Sequence, residues 1–419
     1  MCFNASFIRR WHSPLVSCPI FIFACCSAAP ADGLKPAWDV AGYGTLGALY
    51  HNQEGIEYRR DLSQGAGAKA RTVDFATDSR LGLQLNANVG PRWDVLIQSE
   101  IGVTAAGDWR PVFNWALLRY APSDWMALRI GRLSIDSYVA ADSRGVGYSA
   151  VMVRPAIEVF GLLPAERFNG ADAVLVRQLG SGSLEAKFYG GALRGQTSDG
   201  VRPIFDLDGS RIWGGHLQYE YRQWEVRLGA SSVRFAHEPF DTSLTSALRD
   251  LGTPGAVRLV AATSYRHRRI DFYTASAVLN QNAVQVQLLL SHSHTREPGV
   301  QLADVGLFSI AYRWDRWQPY IGYSAAWSDR TLRTTGLSDE TSPQVAAINA
   351  GSGSLQRHSW DNQQSLAIGV RYDPMNAIAL KLQVDQVHFR DSAVLVDHHA
   401  APLQDRTFQV VSAAMDFVF

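Results

Sequence analysis

Alternation of apolar and polar residues recurs along this chain of 419 residues. In the segments 80–89 and 377–385, apolar side chains occupy every second position, and polar or small residues occupy the others. Because successive side chains of a β-strand point to opposite faces, a period of two indicates strands with one face in an apolar medium and one in a polar medium. These segments are therefore predicted to be half-buried strands rather than helices.

Short and long connections alternate between the predicted strands. Seven are short and rich in turn-forming residues, as at 90–92 and 373–375. Eight are long, which predicts sixteen strands if Arg258 to Leu279 form one long strand. A turn at 266–269 would make the count odd, whereas bacterial barrels have even counts. The long connections are predicted at 51–77, 104–111, 134–169, 194–210, 236–256, 293–301, 328–358 and 391–405.

The last predicted strand, 408–419, has two unlike faces and ends the chain at Phe419. No polar residues follow, so an apolar edge is left that a soluble protein would usually hide. We therefore expect this strand to separate two different media. One face carries Val411, Ala413, Met415, Phe417 and Phe419, and the other carries Ser412, Ala414 and Asp416.

Residues 1–31 have the pattern of a secretory signal peptide. Arg9 and Arg10 precede an apolar stretch at 14–26, and Ala29–Ala31 supplies the small residues at which signal peptidase cuts. The alternative, a short membrane anchor, is disfavoured because the stretch is shorter than the ~20 residues of a spanning helix. We expect residues 1–31 to be removed and residues 32–419 to form one mature domain.

Composition excludes several kinds of site. All four cysteines lie within residues 1–31, so disulfides, thiol catalysis and cysteine-bound metals are not expected in the mature chain. The 39 basic residues balance the 39 acidic ones, which gives no reason to expect a nucleic-acid partner. His292 and His294 share a strand face, and His398 and His399 are adjacent, but we interpret both pairs as polar loop residues. No metal and no other cofactor is expected.

Five tryptophans stand beside predicted short turns. Their rings would form an aromatic girdle at one membrane surface. The alternative is the general preference of Trp for strands and hairpins. The five residues are Trp93, Trp125, Trp224, Trp314 and Trp317.

The mature chain resembles the Gram-negative outer-membrane porins. The resemblance rests on an opening strand at Trp38–Leu46, the strand rhythm, and the terminal aromatic Phe419. The segment Val153–Pro164, followed by Phe168–Asp172, is similar to a stretch in one branch of porin-like proteins. The resemblance implies a transmembrane antiparallel β-barrel in the lipid of the bacterial outer membrane, with a long third loop folded inward. It also implies a passive channel for small hydrophilic solutes and ions, and a homotrimer.

The third long connection, 134–169, is the segment most informative about function. It is longer than a connection needs, and its many apolar residues would be covered if it folded against the barrel wall. In porins this loop forms the constriction of the channel; an external lid or a subunit contact is the alternative. The charged residues predicted at the constriction are Asp136, Asp142, Arg144, Arg154, Glu158, Glu166 and Arg167.

Charged residues on the polar faces of strands are predicted to point into the lumen. Pairs such as Glu185/Lys187 and Glu225/Arg227 stand on one strand face, so these residues can either line water or form structural ion pairs. Acids and bases of the third loop are comparable in number, so no preference for anions or cations is predicted. The predicted lumen wall includes Arg80, Glu100, Arg129, Lys187, Arg227, Arg371 and Lys381.

The leading functional hypothesis is a non-enzymatic, water-filled channel. An outer-membrane enzyme would need a nucleophile with its base, and the sequence has no Gly-x-Ser-x-Gly motif. A substrate-selective channel for small carboxylates or aromatic compounds stays open, because arginine binds carboxylates with two parallel hydrogen bonds. A purely structural barrel, the remaining alternative, would conduct no ions.

Overall fold

Sixteen β-strands of this protein form one closed barrel. The computed structural model describes residues 37–162, 165–197, 205–238, 242–295, 303–358, 360–392, 394–397 and 405–419. Each barrel strand is antiparallel to its neighbours in the chain, and the last strand pairs with the first. The prediction of an all-β antiparallel barrel is therefore confirmed. The predicted signal peptide at 1–31 and the pair His398–His399 lie outside the described residues.

Seven short turns connect the strands at one end of the barrel, which we call the turn end. Eight longer connections join them at the other end, the loop end. This alternation agrees with the layout predicted from the sequence. The strands are β1 Ala37–His51, β2 Arg80–Gly90, β3 Trp93–Val103, β4 Trp109–Ser123, β5 Met126–Ser134, β6 Arg167–Leu179, β7 Gly182–Leu193, β8 Arg211–Tyr221, β9 Trp224–Arg234, β10 Arg269–Gln281, β11 Val284–Thr295, β12 Asp304–Tyr312, β13 Trp317–Trp327, β14 Asn362–Met375, β15 Ile378–Asp391 and β16 Arg406–Val418.

The outer face of the barrel is apolar. At the C-terminal end, Val411 and Phe419 are 46% and 67% exposed, whereas Ser412 and Asp416 on the opposite face are 1% and 0% exposed. The two-faced last strand predicted from the sequence is thus confirmed, with its apolar face outside. Hydrocarbon contact requires such a face. Among the described residues, no helix is long and apolar enough to cross a membrane.

Three glycines in register allow β5, β6 and β7 to approach one another closely. Gly131 pairs with Gly170, and Gly170 pairs with Gly191. A Cβ atom on Gly170 would lie 2.1 Å from the carbonyl oxygen of Gly190, and one on Gly191 would lie 2.3 Å from that of Asn169. Because both obstacles are backbone atoms, they cannot rotate away, and only glycine fits at these positions.

Replacing Gly170 by alanine is therefore expected to destabilise the barrel by about 1–3 kcal/mol, as overpacking does. Gly190→Ala is a matched control, because the nearest atoms to its Cβ would lie at 3.6 and 3.8 Å. The measurement is the temperature at which the folded protein loses its faster migration in an SDS gel. Equal midpoint temperatures for the two variants would contradict this packing.

The prediction of one long strand from Arg258 to Leu279 is wrong. Thr242–Leu251 and Pro254–Thr263 form two helices, α1 and α2, and β10 begins only at Arg269. A short apolar run cannot be assigned to strand or helix by periodicity alone, which explains the error. The predicted number of strands is nevertheless correct, because both helices lie within the fifth loop.

Helix α2 is stabilised by a cap and by a partner helix. The Thr253 hydroxyl accepts a hydrogen bond from the backbone N–H of Ala256 at 3.1 Å, as an N-cap residue does. Ala256 and Leu259 are buried together with Ile348 of α3, Pro343–His358, in the seventh loop. The fifth and seventh loops therefore share a small apolar core at the loop end.

Candidate functional site: the third loop and the adjoining passage

The third loop, residues 135–166, folds into the barrel, as predicted. The backbone N–H of Ile135 donates to the carbonyl of Glu166 at 2.8 Å, so the loop leaves and rejoins the wall at one point. Between these ends lie two short helical turns, Gly147–Ser149 and Ile157–Gly161. Both turns contact wall strands, which means that the loop lies on the inner surface.

Apolar side chains fix one part of the third loop to the wall. Tyr138, Val159 and Phe160 are buried in a cluster with Leu289 of β11 and Leu307 of β12. The rings of Tyr138 and Phe160 meet edge to face, with centroids 5.5 Å apart. Burial of one such side chain contributes roughly 1.5–3 kcal/mol. This packing covers the apolar loop residues that the sequence left without a partner.

Three wall cations fix the backbone of the third loop. Arg227 donates to two loop carbonyls at 2.9 and 2.8 Å, Arg371 to two at 2.8 and 2.9 Å, and Lys381 to two at 2.8 and 3.0 Å. The three side chains lie on the inner face, but they are buried beneath the loop and do not line water. The carbonyls belong, in the same order, to Asp136, Tyr138, Tyr148, Ala150, Gly147 and Met152.

Arg154 lies between the third loop and the wall, with 2% exposure, and does not face the channel as expected. Its guanidinium donates to Asp78 of the first loop at 3.0 and 2.6 Å, to Asp385 of β15 at 3.4 Å and to Ser412 of β16 at 2.5 Å. Burial alone would raise the pKa of Asp78, but the charge and hydrogen bonds of Arg154 outweigh it and hold that pKa below its usual range. Arg154 thus joins two loops to two strands.

Glu158 is also buried, with 2% exposure, and differs from the expectation in the same way. Its carboxylate accepts hydrogen bonds from Ser324 of β13 at 2.6 Å and from Gln363 of β14 at 2.6 Å. Ser365 of β14 donates a further hydrogen bond to it. The physical reason for both corrections is that a buried charge needs partners, and the strand residues provide them.

A chain of ion pairs occupies the wall next to the start of the loop. Arg129 binds Asp172 with two hydrogen bonds of 2.8 and 2.6 Å, and Lys187 lies 3.4 Å from the same carboxylate. Lys187 also donates to Asp136 of the third loop at 2.7 Å. These four residues therefore form structural ion pairs, which was the alternative to lining water.

The remaining predicted residues meet around a cavity of about 50 Å³ between the third loop and the wall. A cavity of this size has room for a few water molecules. It adjoins strands β1 to β6, on the opposite side from the loop's main attachment to β10–β16. The charged residues lining it are Arg60, Asp61, Arg80, Glu100, Asp142, Arg144, Glu166 and Arg167.

Most charges in the cavity are paired. Arg144 lies 2.9 Å from Glu166, and Arg167 lies 3.5 Å from the same residue. The Tyr43 hydroxyl donates to Glu100 at 2.9 Å. Acids and bases therefore face one another across a few ångströms, and the cavity contains a local electric field rather than a single sign of charge.

Arg80 is the exception among the bases of the cavity. It is 4% exposed, and its Nε and Nη2 atoms have no hydrogen-bond partner among the described residues. A guanidinium is always charged and can only donate, so a partner of the opposite charge would stabilise it. Asp142 is an acid in the cavity that forms no ion pair with the described residues. Its side chain is exposed to water inside the barrel. Although the Asp142 side chain is exposed, it lies inside the barrel and is surrounded by protein, so the loss of bulk water and the nearby Asp136 raise its pKa.

The first loop contributes residues that sequence reasoning missed. Arg60 and Asp61 line the cavity and form an ion pair of 2.8 Å. The loop is held inward because Ile56–Tyr58 pairs with Val396–Asp397 of the last loop. The backbone N–H of Leu62 also donates to the carbonyl of Gly161 in the third loop at 3.1 Å. In the sequence, the mixture of apolar and charged residues at 56–62 was the feature that could have indicated a loop folded inward.

Comparison with solved structures gives full-length matches. The anion-selective porin from Comamonas acidovorans has a TM-score of 0.54 and 12% identity, over 92% of this chain and 100% of that one. OmpT of Vibrio cholerae has a TM-score of 0.52 and 12% identity, over 93% and 99%. The outer membrane channel DcaP of Acinetobacter baumannii has a TM-score of 0.51 and 13% identity, over 92% and 97%.

The chain has the porin fold. No protein-family model matches the sequence, and no curated protein matches it. At 12–13% identity the likeness concerns the fold and not the solute. The porin fold, together with the apolar outer face, locates the protein in the bacterial outer membrane.

Proposed function

We propose that this protein is a channel through which small hydrophilic solutes and ions cross the outer membrane by passive diffusion, and that it is not an enzyme. The observation that carries the proposal is the water-exposed, charged cavity beside the third loop, inside a barrel that is closed and apolar outside. In this proposal Asp142, Arg144, Glu166 and Arg167 form the constriction with Arg80 and Glu100. Arg154 and Glu158 hold the loop in place.

A second candidate is a channel selective for small carboxylates. Arg80 favours it, because its Nε and Nη2 atoms have no hydrogen-bond partner among the described residues and a guanidinium can bind a carboxylate through two parallel hydrogen bonds. We also propose that the protein assembles as a homotrimer, as the resemblance to porins implies.

Swelling of liposomes that contain the refolded, signal-less protein tests these proposals. A general channel is expected to give swelling rates that fall with solute size and rise linearly with concentration, for neutral sugars and carboxylates alike. A selective channel is expected to give rates that saturate for carboxylates only. Swelling no faster than in protein-free liposomes would contradict both proposals.

A further inference from the structure

Three arginines form a row on the outer face of the barrel, at its loop end. Arg211 of β8 lies directly opposite Arg234 of β9, and Arg234 lies directly opposite Arg269 of β10. Their outward direction follows from Ile212, Val233 and Ile270, which neighbour them in sequence and are buried in one cluster inside the barrel. Residues that are directly opposite on paired strands have Cβ atoms about 4.5–5.5 Å apart. Three guanidinium groups are thus neighbours on one outward surface.

The row lies where the lipid-facing surface changes from apolar to polar. Farther from the loops, Leu217 and Leu228 are paired and are 51% and 57% exposed. Nearer the row, Trp213 and Tyr273 are 40% and 50% exposed. The Arg269 guanidinium lies over the Trp213 ring, 5.3 Å from its centroid. Exposed Trp and Tyr mark the depth of lipid headgroups, so the arginines are at or just above that depth.

The described residues provide too little negative charge for this row. Arg269 pairs with Asp271 at 2.7 Å, whereas Arg211 and Arg234 form no ion pair with any described residue. Like charges directly opposite one another destabilise a pair of strands. An anion bound between them would remove this repulsion, and guanidinium groups bind phosphate oxygens with directed, charge-assisted hydrogen bonds.

We propose that the row Arg211, Arg234 and Arg269 binds the phosphate group of an anionic lipid in the outer leaflet, because the long loops of bacterial outer-membrane barrels are extracellular. The acyl chains of that lipid lie along the apolar surface of Leu217 and Leu228. This inference rests on the membrane-spanning barrel and not on the proposed channel function, because the row is outside the lumen. Loss of lipid binding therefore leaves conduction unchanged, and the two proposals fail separately.

The test is retention of lipid by the refolded protein in mixed micelles. The wild type is expected to retain phosphatidic acid in preference to the zwitterionic phosphatidylcholine. In the double variant Arg211→Gln/Arg234→Gln, retention of phosphatidic acid is expected to fall roughly tenfold, while retention of phosphatidylcholine stays the same. The matched control, Arg249→Gln/Arg258→Gln, removes two exposed arginines from α1 and α2 and should bind lipid like the wild type.

Three outcomes would overturn this inference. One is equal retention of phosphatidic acid by both double variants, once gel migration has shown that both are folded. Another is binding of inorganic phosphate alone, without lipid, as tightly as phosphatidic acid, which would assign the row to free phosphate rather than to a lipid. The last is a change in oligomer size without a change in lipid retention, which would make this surface a subunit contact.

Discussion

Replacing Arg154 by methionine is expected to lower the free energy of unfolding by about 3–5 kcal/mol, because the change leaves buried carboxylates without their cation. Asp78 and Asp385 both lose an ion pair, and the first loop, the third loop and the wall lose their common link. The loop should then move away from the wall more often. Thermal unfolding measures the loss of stability, and single-channel recordings should show noisier steps.

The triple variant Arg154→Met/Asp78→Asn/Asp385→Asn serves as the control. Because neither carboxylate that Arg154 paired with is left charged, it should recover much of the stability that the single variant loses. If the single variant is as stable as the wild type, Arg154 does not link the loop to the wall. If the single and triple variants are equally unstable, the loss comes from packing and not from the unpaired carboxylates.

Replacing Arg80 by glutamine is expected to shift the reversal potential in a salt gradient toward cation selectivity. Arg80 is the base in the cavity that forms no ion pair within 4 Å among the described residues and whose Nε and Nη2 atoms have no hydrogen-bond partner there, so its removal is expected to change the net field more than removal of a paired base. Arg144 and Arg167 share Glu166, and their replacement should shift the potential less. The same Arg80 variant should abolish any saturation of carboxylate flux.

Arg119→Gln is the matched control for Arg80. Arg119 is paired with Asp94 at 2.6 Å and is not among the residues that line the cavity. Its removal changes the total charge by the same amount. A reversal potential that moves equally in both variants would mean that overall charge, and not the site at Arg80, sets the selectivity.

Period-two patterns predicted the barrel well. The last strand shows why: from Val411 to Phe419 its apolar face lies outside the barrel and its polar face inside, so local sequence carries the information. Residues 258–263 were wrongly predicted to be strand, because a helix that packs against α3 and a buried strand look alike over so few residues.

The roles of the charged residues were harder to predict. Period two does establish that Arg371 and Lys381 point inward. Whether they meet water or the third loop depends on where a loop more than two hundred residues away in sequence is placed. Arg154 and Glu158 were assigned to the channel for the same reason, since the side chains that bind them in the interior come from the first loop and from distant strands. The inward first loop depends on its pairing with the last loop, which no local pattern reveals.

Single-channel current across a planar bilayer, with the refolded wild-type protein and a salt gradient, tests the central claim most directly. A water-filled passage beside the third loop predicts discrete current steps and a reversal potential that depends on Arg80. A protein that is folded by the gel-migration test but gives no steps would contradict the channel and leave a structural barrel.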